Sequence, residues 1–323
     1  MKPTSPAAGR ALICGSLAYD TIMVFGDRFA NHILPDKIHM LSVSFLVPQL
    51  RREYGGCAGN IAYNLALLGD VGLPMATVGR DFGPYREWMA GNAVPTDHVR
   101  VVDSEHTAQA FITTDLDDNQ ITAFHPGAMQ HSHLNQVGDA AGITLGIVAP
   151  DGREGMIRHA EQFAAAGIPF IFDPGQGLPM FARDDLERFL SQARWMTLND
   201  YEWQLVQQKT GWTIPELVER VAALIVTHGA AGSTIHTRDG ALEIPAAPVS
   251  AVVDPTGCGD AYRAGLLHGL LHGLDWRTTG HIASVLGAIK IESRGTQNHR
   301  FTREGFAQRL AAAAAGAGQR RLG

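Results

Sequence analysis

Apolar and polar positions fall into blocks of two periods along this chain. Ala11–Gly15 (ALICG) is a short apolar run closed by glycine and reads as a buried strand. Thr21–Phe25 reads as a second strand, and Ile38–Val47, with mixed β-branched and polar residues, predicts a partly exposed one. Asn60–Leu68 places Ile61, Leu65 and Leu68 at helical spacing, with Gly69 as a stop. Met75–Gly79 returns to strand. Between Gln109 and Phe124 two β-rich runs flank Asp117-Asp118-Asn119, the chemistry of a hairpin turn. Their alternating polar residues fit a solvent-facing antiparallel sheet.

After Gly142 the pattern changes. Strand-like runs (Ile143–Val148, Phe170–Phe172, Trp195–Leu198, Ala223–Thr227) alternate with helical stretches (Glu154–Ala166, Arg183–Gln192, Tyr201–Lys209, Ile214–Val221). Such alternation predicts βαβ units, a mainly parallel sheet and helices on both faces. Thr234–His236 and Ala241–Ile244 form an edge hairpin around Arg238-Asp239-Gly240. Ala261–Gly273 and Thr279–Glu292 predict two long helices, and the tail from Phe306 starts helical and ends in residues expected to fray. The predicted architecture is α/β: one three-layer α/β/α body over residues 1–323 with a small β lid from about 16–50 and 105–127.

Composition narrows the function classes. The chain has 323 residues, 45% hydrophobic, enough for a sizeable core. A net charge of -6 argues against a general nucleic-acid binder and against an anionic membrane surface. No apolar run reaches the ~18 residues of a membrane helix. The N-terminus is polar, without a signal-peptide core. Cys14, Cys57 and Cys258 are odd in number and form no Cys-x-x-Cys pair, which fits a reducing compartment. Together these features predict a cytoplasmic protein.

The segment richest in chemistry is Val252-Val253-Asp254-Pro255-Thr256-Gly257-Cys258-Gly259-Asp260-Ala261. A β-branched run leads through Gly-x-Gly into a long helix. The unpaired N–H groups of a helix start, with the helix dipole behind them, make an anion hole suited to a transferring phosphoryl group. Asp260 lies inside this turn. It reads equally as a helix cap and as a general base that takes the proton of an attacking hydroxyl.

The stretch DPTGCGDAYRAG resembles the C-terminal signature of the ribokinase-like (PfkB) carbohydrate kinases, Asp-Thr-x-Gly-Ala-Gly-Asp; Pro255 and Cys258 depart from the commonest letters. Cys14-Gly15-Ser16 with Asp20, Tyr54-Gly55-Gly56-Cys57-Ala58-Gly59-Asn60, Asn199-Asp200-Tyr201-Glu202 and Thr227-His228-Gly229-Ala230-Ala231-Gly232 resemble further family motifs in order. Asp118-Asn119-Gln120-Ile121-Thr122, Asp173-Pro174-Gly175-Gln176 and Tyr262-Arg263-Ala264-Gly265 are similar to the archaeal and bacterial nucleoside kinases of that family.

The resemblance implies roles. Asp260 would be the base, with backbone N–H groups of Gly257, Cys258 and Gly259 on the phosphoryl group. Asp20 and Asn60 would hold ribose hydroxyls, with Gly55 and Gly56 giving close approach. Asn199, Glu202, Thr227, Gly229 and Gly232 would serve ATP, Glu202 acting on magnesium through water. Asp254 matches the place where some relatives hold a monovalent cation such as potassium. The lid of relatives can pair with its copy in a homodimer. The activity implied is ATP-dependent phosphorylation of a nucleoside 5′-hydroxyl. A free-sugar kinase of ribokinase or fructokinase type is the alternative, and a non-catalytic ligand sensor is the reading of another class. A dinucleotide-dependent oxidoreductase ranks last, because Gly55–Gly59 lacks the Gly-x-Gly-x-x-Gly spacing.

Other features have bland readings. Asp20 fits a turn cap, Asn199 an N-cap and Glu202 a surface helix residue. His268 and His272 have a zinc-compatible spacing of four, but no third ligand is visible in sequence. His125, His131 and His133 lie near the lid and read as a solvated loop. Arg51 and Arg52 precede the glycine pair and are candidates for steering ATP. Cys258 at a helix start is a candidate for a lowered thiol pKa.

Overall fold

The computed structural model describes residues 9–33, 40, 42–117 and 119–319. In chain order the strands are β1 (Arg10–Cys14), β2 (Ala18–Val24), β3 (Gln49–Gly55), β4 (Gly72–Gly79), β5 (Val99–Val102), β6 (Ala108–Thr114), β7 (Gln120–His125), β8 (Ile143–Val148), β9 (Phe170–Phe172), β10 (Trp195–Asn199), β11 (Ala223–Thr227), β12 (Ser233–Thr237) and β13 (Gly240–Ile244). The helices are α1 (Cys57–Leu68), α2 (Gly83–Gly91), α3 (Arg153–Ala165), α4 (Arg183–Gln192), α5 (Asp200–Thr210), α6 (Ile214–Val218), α7 (Cys258–Leu271), α8 (Trp276–Ile291) and α9 (Arg303–Gln319).

The larger sheet runs β13-β12-β11-β10-β9-β8-β1-β4-β5. Its strands from β5 to β11 pair in parallel, and β12 and β13 close one edge as an antiparallel hairpin. Successive strand residues point to opposite faces, so neighbours in sequence feed different cores. Ile13, Ile147 and Ile225 pack with Ile61 and Leu65 of α1, Leu267 of α7 and Leu286 of α8. Leu12, Val148, Leu198 and Val226 pack with Phe163 of α3, Phe189 of α4 and Val206 of α5. Burial on both faces is why these strands read as unbroken apolar runs. The body is thus the expected three-layer α/β/α arrangement. Among the described residues no helix is long and apolar enough to cross a membrane.

The smaller sheet runs β3-β2-β6-β7. It is antiparallel except between β2 and β6, which pair in parallel. The β6–β7 hairpin forms around the expected turn, of which Asp118 lies outside the described residues.

Three expectations need correction. No strand covers 42–47; residues 38, 39 and 41 of that prediction lie outside the described residues. Both ladder edges of β2 are taken by β3 and β6, and Phe45 instead packs at a tilt against Phe25 and Phe29 at centroid distances of 4.8 and 5.0 Å. The partner strand therefore begins later, at Gln49, and runs to the glycine pair. Second, α2 and β5 were invisible to periodicity, because α2 is short and buries only Tyr85 and Met89. Third, the terminal helix starts at Arg303 and runs to Gln319; the tail end expected to fray lies outside the described residues.

Candidate active site

The site lies where the parallel strands end, the usual place for ligands on such sheets. α7 opens after Gly257, whose φ of 79° is left-handed. The first N–H groups of a helix have no helical partner; that of Cys258 is spent on the Pro255 carbonyl at 3.2 Å. Asp254 shapes the turn. Its Oδ1 accepts the Thr256 N–H at 2.9 Å and its Oδ2 the Gly295 N–H at 2.8 Å. Burial alone would raise this carboxyl, but those amide donors hold it below the usual carboxylate range.

Asp260 sits in the first turn of α7. Asn60 of α1, 200 residues away, donates its Nδ2 hydrogen to Asp260 Oδ2 at 2.7 Å. Asn60 Oδ1 accepts from Gln297 Nε2 at 3.0 Å, and Gln297 is held by Trp88 Nε1 at 3.0 Å. Burial pushes the Asp260 carboxyl up to about 6 against the opposing pull of Asn60 and Arg263. Arg263, one turn along α7, makes a buried two-pronged pair with Asp173 at the end of β9, both bonds 2.9 Å. Its charge is felt by Glu202 as well as Asp260.

Asp20 of β2 stands opposite Glu53 of β3. Burial, and then the negative charges of Asp260, Glu53 and Asp254, push its carboxyl up to about 6. Four acidic groups in one electrostatic neighbourhood cost energy, and a site that retains them is a candidate for function. The glycine pair is dictated by this crowding. A Cβ on Gly55 would lie 2.7 Å from Asp20 Oδ2. Gly56 has a φ of 85°, and a Cβ there would lie 2.5 Å from the Ser16 carbonyl oxygen.

Asn199 caps α5, accepting the Glu202 N–H at 2.7 Å, while Glu202 Oε2 accepts the Asn199 N–H at 2.8 Å. The N-cap reading of Asn199 thus holds as geometry. Glu202, however, is a buried residue rather than a surface one, and burial with the nearby Asp173 charge raises its carboxyl. Parallel register sets Thr227 beside Asn199 at the ends of β11 and β10. The chain then turns through Gly229 to Gly232, whose φ is 101°.

Sequence reasoning gave no role to Asp173, Arg263, Gln297 or Lys290. The signal for Arg263, as for Lys290, was a cation set among the small and apolar residues of a long helix. Lys290 is fully buried and donates its Nζ hydrogens to the carbonyls of Asp254 at 2.8 Å and Ser293 at 3.0 Å. Gln297 carried no signal. Cys258 departs from expectation: burial outweighs the helix end and pushes its thiol up to about 11. Arg52 lies over the Tyr19 ring at 4.5 Å, and Arg51 pairs with Glu53 at 3.4 Å. His131 and His133 stand near the surface carboxylates Glu105 and Glu154, at 3.5 and 3.8 Å.

A carboxylate of raised pKa, bonded into the first turn of a glycine-led helix, is a candidate site for phosphoryl transfer. The family model of the pfkB family carbohydrate kinases matches residues 20–302. The chain belongs to the pfkB carbohydrate kinase family. As a pfkB kinase it is an ATP-using phosphotransferase whose acceptor is an alcohol. The nucleoside kinase of Methanocaldococcus jannaschii is 33% identical over 273 residues, 83% of this chain and 89% of that protein. The nucleoside kinase of Burkholderia thailandensis has been solved in complex with inosine; it is 52% identical, with a TM-score of 0.85 over 94% of this chain and 97% of that one. Its complex with ADP-inosine is 54% identical, with a TM-score of 0.83 over 94% and 95% of the two chains. Among pfkB kinases, then, this chain is similar to those named for nucleosides.

Proposed function

We propose that this kinase transfers the γ-phosphoryl group of ATP to the 5′-hydroxyl of a ribonucleoside such as inosine or adenosine. The observation that carries this reading is the Asn60–Asp260 bond, which fixes a carboxylate of raised pKa at the opening of α7. Asp260 takes the proton of the 5′-hydroxyl as that oxygen bonds to the γ-phosphorus. The bond from the γ-phosphorus to the bridging oxygen breaks, and ADP leaves. The N–H groups of Gly257 and Gly259 face the charge that develops, a contribution worth about 3 kcal/mol per donor in comparable sites; the role of Cys258 is its small size and its turn-making N–H. Asp20 accepts hydrogen bonds from the ribose diol, and Gly55 and Gly56 let the sugar close on the backbone. Asn60 has one amide hydrogen on Asp260 and offers the other to a ribose hydroxyl.

The small sheet favours a nucleoside over a free sugar. Register puts Ala110 opposite both Asp20 and Phe124, so Phe124 shares the face of Asp20, as do Ile22 and Ile112. Phe124 is 53% exposed. A half-buried apolar strip that ends in the exposed Phe124 beside the diol site suits a nucleobase, and a free hexose or pentose has nothing to cover it. The opposite face of the sheet exposes Phe111 and Ile121, and we infer that a second copy of the chain packs there.

Thr227, Gly229 and Gly232 serve the nucleotide. The oxygen donors of Asn199 and Glu202, next to Asp173, fit magnesium, which prefers oxygen ligands and keeps its waters. Magnesium when bound neutralises the phosphate charge. At Asp254 the Lys290 ammonium sits on the backbone carbonyl at 2.8 Å, so the positive charge a monovalent cation would bring there is already supplied by the chain. Lys290 supplies the positive charge behind the anion hole. The three free cysteines suit the reducing cytoplasm.

The test is an acceptor panel of adenosine, inosine, cytidine, ribose and fructose with ATP and magnesium. The highest kcat/KM is expected for a purine nucleoside. A preference for ribose or fructose overturns the substrate assignment.

A further inference from the structure

His268 of α7 and His272, the residue that caps its end, acquire in the fold the third ligand that sequence lacked. His268 and His272 are one turn apart near the end of the helix, their rings 4.5 Å apart. Asp70 follows Gly69, the left-handed cap of α1, and its backbone N–H is bonded to the Leu65 carbonyl at 2.9 Å. Its side chain, only 4% exposed, inserts between the imidazoles: Oδ2 to His268 Nδ1 at 2.6 Å and Oδ1 to His272 Nε2 at 2.9 Å. The three donor atoms lie within 4.8 Å of one another.

We propose that Asp70, His268 and His272 bind a divalent transition-metal ion of the zinc class, which pins the end of α1 to the end of α7. Two imidazole nitrogens and one carboxylate are the borderline donors that zinc and its neighbours prefer over magnesium or calcium. Donor atoms around tetrahedral zinc stand about 3.3 Å apart, given bonds of about 2.0 Å. Each imidazole nitrogen now stands 2.6 or 2.9 Å from its own oxygen of Asp70, with one donor atom from each residue within 4.8 Å of the others, so an ion enters as the rings turn outward from the carboxylate. His272 is 36% exposed, so an ion reaches the site from solvent and keeps a water as fourth ligand. His268 lies eight residues from Asp260 along α7, about 12 Å at helical rise. The ion is thus remote from the phosphoryl transfer and structural in role. Its helices carry Asn60 and Asp260, so it braces the pair that the catalytic base depends on.

The test uses the full chain, stripped with a chelator and re-equilibrated with one equivalent of Zn2+ or Co2+. Metal content by mass spectrometry should return one zinc per chain. Cobalt should give the visible d–d bands of a four-coordinate N/O site with no thiolate charge transfer. Zinc should raise the Tm of the stripped protein by about 5 °C when saturating. His272→Gln, at the exposed position, and His268→Gln should each keep the far-UV circular dichroism of the parent yet bind zinc about tenfold or more weaker. Asp260→Asn should bind zinc like the parent, separating this site from the carboxylates of the active site. The proposal is overturned if the stripped protein takes up no zinc, or if both histidine variants take up as much as the parent. In either case the three side chains form a hydrogen-bonded clasp and nothing more.

Discussion

At the scale of single residues, Asp260 makes the strongest demand on the proposed mechanism. Asp260→Asn removes the base while keeping the shape and an acceptor for Asn60. We expect kcat to fall by about 10²–10⁴-fold with inosine affinity, measured by calorimetry, changed only a few-fold. Stability should move the other way. The carboxyl is raised to about 6 in the folded chain, above its ordinary value of 3.8. A group raised on folding stabilises below its unfolded pKa, and that contribution is lost as pH rises through about 6. At pH ~7.5 the charged, buried Asp260 is therefore a cost, and the variant should melt about 2–4 °C higher. A lower Tm would mean that Asp260 holds the fold rather than the proton. The same carboxyl sets the acid limb of activity. Asp260 and Asp20 both titrate near about 6, so kcat/KM should drop below that pH with a slope steeper than one. A flat profile down to pH ~5 would remove Asp260 as the base.

At the scale of elements, the β3–α1 junction and the α7 loop carry the site. Gly55 and Gly56 are adjacent but should fail differently. A methyl on Gly55 meets the Asp20 carboxylate, which can swing away, so Gly55→Ala should fold normally and raise the nucleoside KM about tenfold. A methyl on Gly56 meets backbone at a left-handed φ, so Gly56→Ala should cost about 1–3 kcal/mol in urea unfolding. Equal stability of the two variants would contradict this account. The loop before α7 is tied to the end of α8 by the Lys290 ammonium. Turnover is expected to be the same in sodium and potassium buffers. Lys290→Met should lower it, with partial recovery in potassium as the carbonyls gain a cation. A parent enzyme that needs potassium would refute the assignment of Lys290.

At the scale of the whole molecule, one face of the small sheet carries Asp20 and Phe124 and the other exposes Phe111 and Ile121. If a second copy covers the outer face, sedimentation should report a dimer that Ile121→Glu converts to monomer; a monomeric parent would end that inference. Much of this organisation was legible in advance. Strands from β8 to β11 and the helices between them were readable because each is buried on one face or both, and periodicity records burial. The glycine-led turn before α7 was readable because only certain residues fit a left-handed, crowded backbone. The 42–47 stretch misled because β-branched residues report a preference for extended chain, not a vacant ladder edge, and β2 had none to offer. Sequence by itself determined most of the elements, the parallel body and a list of candidate groups for moving a proton or holding a phosphate. Tertiary structure alone decided which of them meet: Asn60 with Asp260, Arg263 with Asp173, Lys290 with the loop of Asp254, and Asp70 with two histidines on another helix. The physical reason is that local pattern encodes what each segment buries, whereas a pKa or a ligand set arises from groups far apart in the chain that packing brings within a few ångströms.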